Sequence, residues 1–316
     1  MAEFTAYREA VRPEWLDYNG HLNDSSYAVV LTLAHELLLD HLGLSATYRE
    51  SHQASMFTVD LQLSYVAEVT AGQTLTAATH VVDADHKRLR LRSEIFADGV
   101  LAATGECLYL HVDTAAGRTA PLPADRQAAV EAMRTPPAGR VTTPNEGRRA
   151  AVWDDEAEIA APLRLHETTA PPEWMDYNDH MSESCFLLAF GDSADVFFRY
   201  IGIDEDYRAA GHSLYTSQTH LHHRQEVALG EPLAMTLQVL DHDRRRLHLY
   251  HEMRHGETDA LIAMAEQLLV HVDTEAGRSS DLPDDLYRHV AAIQRAHAVL
   301  PRPAVVGHPI AIRHAP

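Results

Sequence analysis

Asp17, Asn19 and His21 fall within five residues of one another, and Asp176, Asn178 and His180 repeat them later in a chain of 316 residues. A carboxylate, a carboxamide and an imidazole at this spacing supply a base or nucleophile, a donor for a carbonyl oxygen and a proton shuttle. Asp and Asn also fold back on their own backbone to cap turns, so a single copy would say little. The stretches 13–21 and 172–180 are identical at seven of nine positions, which makes the repeat the organising feature of the chain.

Each copy runs straight into an apolar pattern of helical period. Tyr27, Val30, Leu31, Ala34, Leu37, Leu38 and Leu42 recur at three and four, and predict a helix over 25–42 with one buried stripe. Asn23, Asp24 and Ser25 are all good N-caps, and Gly43 stops the helix. In the second half Phe186, Ala189, Phe190, Ala194, Phe197 and Ile201 do the same, stopped by Gly202. Alternating residues predict strands over 57–65, 75–82, 88–96 and 101–112, and over 214–223, 233–240, 246–253 and 261–272. Short entry strands are expected over 4–11 and 163–169. Both halves close on His-Val-Asp-Thr and Gly-Arg, at 111–118 and 271–278.

The expected organisation is a first domain over 1–126, a linker over 127–160, a second domain over 161–296 and a tail over 297–316. Pro136, Pro137, Gly139, Pro144 and Gly147 mark the linker. Pro301, Pro303 and Pro309 suggest a poorly ordered tail. Each half is then a helix on one face of an antiparallel sheet, an α+β design. Two copies side by side would make one continuous sheet and remove an exposed edge.

Hydrophobic content of 46% is ordinary for a globular chain. A formal net charge of −20 argues against nucleic acid or an anionic membrane as a partner. Two cysteines, Cys107 and Cys185, imply no disulfide framework. No apolar run has the ~20 residues of a membrane span, and the first residues lack a signal-peptide core, so a cytoplasmic location is expected. The chain has no Gly-x-Ser-x-Gly elbow, no Gly-x-Gly-x-x-Gly and no Walker loop, so serine-hydrolase, nicotinamide and nucleotide-triphosphate chemistry are not indicated and no cofactor is expected.

Asp17-Tyr18-Asn19-Gly20-His21-Leu22-Asn23 resembles the Asp-x-Asn-x-His-x-Asn signature of hot-dog acyl-CoA and acyl-ACP thioesterases. Pro13-Glu14-Trp15, Gly43, Tyr48, Tyr65-x-x-Glu68 and the His-Val-Asp-Thr ending resemble more particularly the betainyl-CoA thioesterases of carnitine breakdown. The second half carries like signs at 190–195, Gly202, Tyr207 and Asp241. The resemblance covers about 1–122 and 163–286. It implies a tandem, double hot-dog fold and an acyl-CoA partner. It also implies active sites where two hot-dogs meet, so that the tandem forms an internal pseudo-dimer; further homo-oligomerisation is left open.

On this reading Asp17 and Asp176 act as general base on water or attack the thioester carbonyl directly. Asn19 and Asn178 polarise the carbonyl or orient water, and His21 and His180 hold the carboxylate or move a proton. Glu68 and Glu226 match an acidic position that relatives use in catalysis; a solvated strand-end carboxylate is the plain alternative. Trp15, Tyr18, Trp174 and Tyr177 offer faces for a quaternary ammonium, or else pack beside the helix. Asp60 is a substrate-side candidate on the following strand, where the second half has Gln218. His220 and His222 share a strand face and His223 follows them, but no second ligand cluster is evident, so no metal is expected. The halves differ: Gly20, Asn23, Tyr27 and Tyr65 become Asp179, Ser182, Phe186 and His223, and the second half is expected to be the less active. Alternatives are another short or medium acyl-CoA as substrate, a dehydratase of the same fold, or a non-catalytic acyl-CoA-binding scaffold.

Overall fold

A computed structural model describes residues 3–17, 20–135, 161–177, 179–302, 306–307 and 310–312. The chain divides into two compact units, 1–141 and 142–316. The boundary falls inside the expected linker, whose residues 136–160 lie outside the described ones. The part of that linker before residue 134 is helical rather than irregular.

The first unit runs β1 (Arg8–Ala10), α1 (Asp24–His41), α2 (Ala46–His52), β2 (Ala54–Tyr65), β3 (Thr74–Ala84), β4 (Arg88–Ala97), β5 (Val100–Asp113), β6 (Arg118–Thr119) and α3 (Ala124–Met133). The second runs β7 (Leu163–Thr169), α4 (Glu183–Ile201), α5 (Glu205–Ala209), β8 (His212–His223), β9 (Pro232–His242), β10 (Arg246–His255), β11 (Leu261–Asp273), β12 (Arg278–Ser279) and α6 (Asp284–His297). Within the first unit the strand order is β1-β3-β4-β5-β2, and within the second it is β7-β9-β10-β11-β8, all antiparallel. The entry strand of the first unit is shorter than its apolar pattern suggested: only three residues join the ladder, and Phe4 adds an isolated bridge to Thr79. A bulge falls at the same place in β2 and β8, just before Asp60 and Gln218.

Helix and sheet meet as the apolar stripes require. In the first unit Ala28, Val30, Leu31, Ala34 and Leu38 are buried with Leu61, Leu63, Leu75, Val81, Leu89, Leu91, Ile95 and Cys107 from the strands. Gly105 on β5 lies directly beneath Leu31, and any side chain there would collide with it. In the second unit Phe197, Ile201, Leu237, Val239, Leu247, Leu249 and Leu269 form the core, closed by Leu286, Val290 and Ile293 of α6.

The repeated His-Val-Asp-Thr ending is explained by its hydrogen bonds. The Nδ1 of His111 lies 2.8 Å from the Ala120 carbonyl and its Nε2 lies 2.9 Å from the Tyr48 hydroxyl. A carbonyl only accepts, so Nδ1 carries the proton and Nε2 accepts from the tyrosine. His271 repeats this with Ser280 at 3.0 Å and Tyr207 at 2.7 Å. Asp113 and Asp273 accept the amides of Ala116 and Ala276, each at 2.9 Å, and so close the turns that follow. These shared residues lock a short helix to a strand end.

In each core a buried imidazole also sits between helix and sheet, on the helix in one and on a strand in the other. His35, on α1, touches Tyr109 at 2.8 Å and Ser93 at 2.9 Å, and Ser93 touches Thr79 at 2.9 Å. In the second unit the helix position is Ala194 and the strand position is His251, which packs against Phe190.

The tail differs from expectation. Arg302 donates to the Leu240 carbonyl at 2.6 Å, and Val306 packs on Leu240, Tyr250 and Met264. Ile310 and Ile312 are buried with Leu268. Proline prevents a helix here, but it does not stop apolar side chains from covering a sheet face. At the centre of that face Glu266 accepts from the amide of Gly307 at 2.8 Å and lies 2.9 Å from His248 Nε2. The matching positions of the first unit form a partly exposed Arg90–Glu106 ion pair at 2.7 Å.

Burial lowers the pKa of His35 and of His251 from about 6.5 to about 3. Between those values the unfolded chain binds protons that the native chain refuses, so stability is full above pH ~6.5 and falls as pH drops toward ~3. Each histidine contributes up to ~1.4 kcal/mol per pH unit in that window. His35→Gln should therefore flatten the slope of urea-unfolding free energy between pH 6 and 4 by about that amount. An unchanged slope would show that His35 takes up its proton in the folded state.

Candidate active site

Residues 13–15 form one turn of 3-10 helix, started by Pro13, and the chain then folds into a closed five-residue loop. The amide of Asp17 donates to the His21 carbonyl at 2.8 Å, and the Gly20 amide donates to the Asp17 carbonyl at 3.0 Å. The carboxylate completes the loop, since its Oδ1 accepts the His21 amide at 3.0 Å. Next, Leu22 donates to the Val69 carbonyl at 2.7 Å and Asn23 to the Trp15 carbonyl at 2.9 Å. Of the three capping candidates the chain uses Asn23, whose Oδ1 accepts the Ser25 amide at 3.0 Å and starts α1. His21 Nε2 lies 3.6 Å from the carboxylate of Glu68. Tyr18, Asn19 and Asn178 lie outside the described residues.

The second copy reproduces this geometry. Asp176 N donates to the His180 carbonyl at 2.7 Å, Asp179 N to the Asp176 carbonyl at 3.1 Å, and Asp176 Oδ1 accepts the His180 amide at 3.2 Å. His180 Nε2 lies 3.2 Å from Glu226. Gly20 sits at φ +77° and Asp179 at φ +61°. The loops therefore bend alike, and Asp179 adopts the left-handed conformation that its short polar side chain tolerates. Backbone shape does not separate the halves.

What surrounds the loops does. In the first unit the rings of Tyr27 and Tyr65 meet edge to face at 5.2 Å, and the Tyr65 hydroxyl donates to the Asp24 carbonyl at 3.3 Å. Burial, then the charges of Glu68 and Asp24, push the Tyr27 hydroxyl well above the usual tyrosine range. In the second unit Phe186 and His223 make the corresponding edge-to-face contact at 4.6 Å. The first half's aromatic pair was not legible as a pair, because its members lie on a helix and a strand 38 residues apart. The signal present was only that Tyr27 lies on the buried helix stripe and Tyr65 on the alternating strand, both after the motif.

The other candidates are placed as follows. Trp15 is 6% exposed and Arg12 lies over its ring at 4.6 Å, which suits it to packing. Trp174 is half-buried, and Tyr177 is 56% exposed. Asp60 follows the bulge in β2. Glu68 and Glu226 are more than half exposed, so their pairs with His21 and His180 are open to solvent screening. His220 and His222 lie on one strand face with ring centres 3.9 Å apart and their planes tilted by 56°, while His223 turns the other way to Phe186. Cys107 is buried among apolar side chains, and burial pushes the Cys185 thiol up, which suits neither to nucleophilic attack.

The strand order, the single long helix on each sheet and the loop at its N-terminus make each unit a hot-dog module, and the chain a tandem of two. The Thioesterase-like superfamily matches residues 11–130 and 170–290, and the chain belongs to that family. The betainyl-CoA thioesterase of Pseudomonas aeruginosa is 37% identical over 151 residues, which cover 48% of this chain and 95% of that protein. The L-carnitine dehydrogenase/betainyl-CoA thioesterase of Rhizobium meliloti is 39% identical over 150 residues, 48% of this chain and 30% of that one. The chain thus spans less than a third of the length of the bifunctional relatives. An acyl-ACP thioesterase from Bacteroides thetaiotaomicron superposes with a TM-score of 0.64 at 12% identity, over 85% of this chain and 98% of its own. The 12:0-ACP thioesterase from Umbellularia californica gives 0.64 at 12% identity, over 85% and 94%. At that identity these two solved structures show the fold.

Asp179 shows that a left-handed aspartate fits this loop, so Gly20→Asp should leave the protein folded, at a cost of about 1 kcal/mol or less. Gly20→Val should cost more, since a β-branched residue resists that φ. Urea-unfolding midpoints of the two variants check the ranking.

Proposed function

We propose that this chain hydrolyses acyl-CoA thioesters, with betainyl-CoA as the substrate. The observation that carries the proposal is the carboxylate-closed loop at the start of each long helix, present twice in a chain of the thioesterase family. The names of the P. aeruginosa and R. meliloti relatives supply the acyl group.

Hydrolysis replaces the carbonyl–sulfur bond with a carbonyl–oxygen bond, and the proton lost by water ends on the CoA sulfur. The carboxylate of Asp17 is fixed by the amide of His21, so it meets water or the carbonyl without first losing rotamer freedom. It acts either as general base on water or as a nucleophile whose anhydride water then opens. Asn19 donates to the carbonyl oxygen, and the helix start adds the favourable end of its dipole as negative charge develops there. His21, held near Glu68, passes a proton between the carboxylate and the sulfur. Asp176, Asn178, His180 and Glu226 stand in the same roles in the second half. The scaffold alternative predicts binding without turnover, and a dehydratase predicts loss or addition of water with no free thiol.

Since the two loops match in geometry, the expected difference between the halves lies in their surroundings, Tyr27, Tyr65 and Asp60 against Phe186, His223 and Gln218. Purified protein should release thiol from betainyl-CoA faster than from acetyl-CoA or octanoyl-CoA. Asp17→Asn should lower kcat about 100-fold, as for removal of a positioned acid–base group, with little change in KM. Asp176→Asn should do much less, and Asn19→Ala should fall between. Both aspartates close their loops, so each variant is first checked by circular dichroism and melting. A dead Asp176→Asn beside a normal Asp17→Asn would reverse the assignment of the halves. Normal turnover in both would remove the catalytic role of the loop.

A further inference from the structure

A betainyl group ends in a trimethylammonium, which has a fixed positive charge and no proton to donate. It is recognised by aromatic faces and by carboxylates nearby, because hydrogen bonds are closed to it. Trp15, next to the motif, fits that task poorly: it is buried and already carries the Arg12 guanidinium over its ring. Tyr65 fits it better, with the buried Tyr27 behind it. Tyr65 is half-buried at the end of β2, and its hydroxyl reaches the Asp24 carbonyl at the first residue of α1, just past the catalytic loop. Tyr27 backs it edge to face at 5.2 Å. Glu68 follows three residues on and pairs with His21, and Asp24 adds a second carboxylate at the helix start.

The second unit keeps the carboxylates, as Glu183 and Glu226, but replaces both rings. Phe186 stands for Tyr27, and His223 stands for Tyr65 against it. Imidazole is a weaker partner for a cation than a phenol ring. The change therefore puts a smaller, more polar ring where the first unit has a phenol whose hydroxyl reaches the Asp24 carbonyl.

We infer that Tyr65, backed by Tyr27 and flanked by Glu68 and Asp24, is the residue by which the first half selects a cationic acyl group, and that His223 removes this preference from the second half. The inference rests on the betainyl-CoA reading above and assigns the side chain that reads the charge. Tyr65 acts on specificity; the bond-breaking groups remain those of the loop.

The test compares betainyl-CoA with 3,3-dimethylbutanoyl-CoA, its neutral carbon isostere, by thiol release on the full chain. The readout is the ratio of the two kcat/KM values, which a general loss of folding or of loop geometry would not change. Wild type should favour betainyl-CoA. Tyr65→His should lower that ratio about tenfold at pH 8, through KM for betainyl-CoA, the size expected from losing ~1.4 kcal/mol of cation–π attraction. The loss should deepen at pH 6, where the introduced imidazole is protonated. Tyr65→Phe, which keeps the ring face and loses the hydroxyl, should restore most of the ratio. A wild-type preference that survives Tyr65→His at both pH values overturns this inference and leaves the substrate reading standing. No preference in wild type overturns the substrate reading, and this inference with it.

Discussion

The hydrogen bond from the His21 amide to the carboxylate of Asp17, with its twin between His180 and Asp176, is the contact on which the site depends. It turns five residues into a closed ring with the aspartate carboxylate at one end and the start of a helix at the other. The bond does two jobs. It supplies a partner for a backbone amide that no strand or helix would satisfy, and it removes the rotamers in which the carboxylate would point elsewhere. The connection that follows β2 or β8 then fixes the ring from outside, through Leu22 on Val69 and Met181 on Val227. The geometry of a site of this kind is written in main-chain contacts.

Much of this was legible from the residues. The period of Tyr27, Val30, Leu31, Ala34 and Leu38 gave the helix, and strict alternation gave the long strands, because each element buries one face only. The spacing of Asp and His within the motif gave a loop. Other features were hidden because they depend on contacts between distant parts of the chain. The Tyr27–Tyr65 pairing is set by where β2 ends beneath α1. The left-handed Asp179 contradicts the simple view that only glycine serves there, since the surrounding hydrogen bonds impose the bend. The tail looked loose because prolines dominate its composition, but composition does not show that Leu240, Leu268 and Tyr250 leave an apolar face for it to cover. Entry strand β1 fell short of its pattern because only three consecutive residues form a ladder with β3, and Phe4 meets Thr79 separately.

Residues shared by the two halves also divide by purpose. Asp17, His21 and Glu68 recur as a group around one loop and open to solvent. Tyr48, His111 and Asp113 recur just as faithfully, yet their hydrogen bonds end on carbonyls, on turn amides and on one another. Recurrence alone would rank both groups equally. Geometry separates a set grouped around a partly exposed loop from a set that staples one element to the next.

The buried imidazoles carry a consequence for how far the halves are interchangeable. His35 and Ser93 touch across the first core, and the same two places in the second core hold Ala194 and His251. One bulky ring and one small residue fill the space in either case, but the ring belongs to the helix in one module and to the sheet in the other. A chimaera that set α1 on the second sheet would press two rings into room for one. The reverse exchange would leave Ala and Ser facing a hole and strand the Tyr109 hydroxyl that His35 now meets. Since duplication each module has drifted as a matched helix and sheet, and recombination between them would have to exchange whole modules.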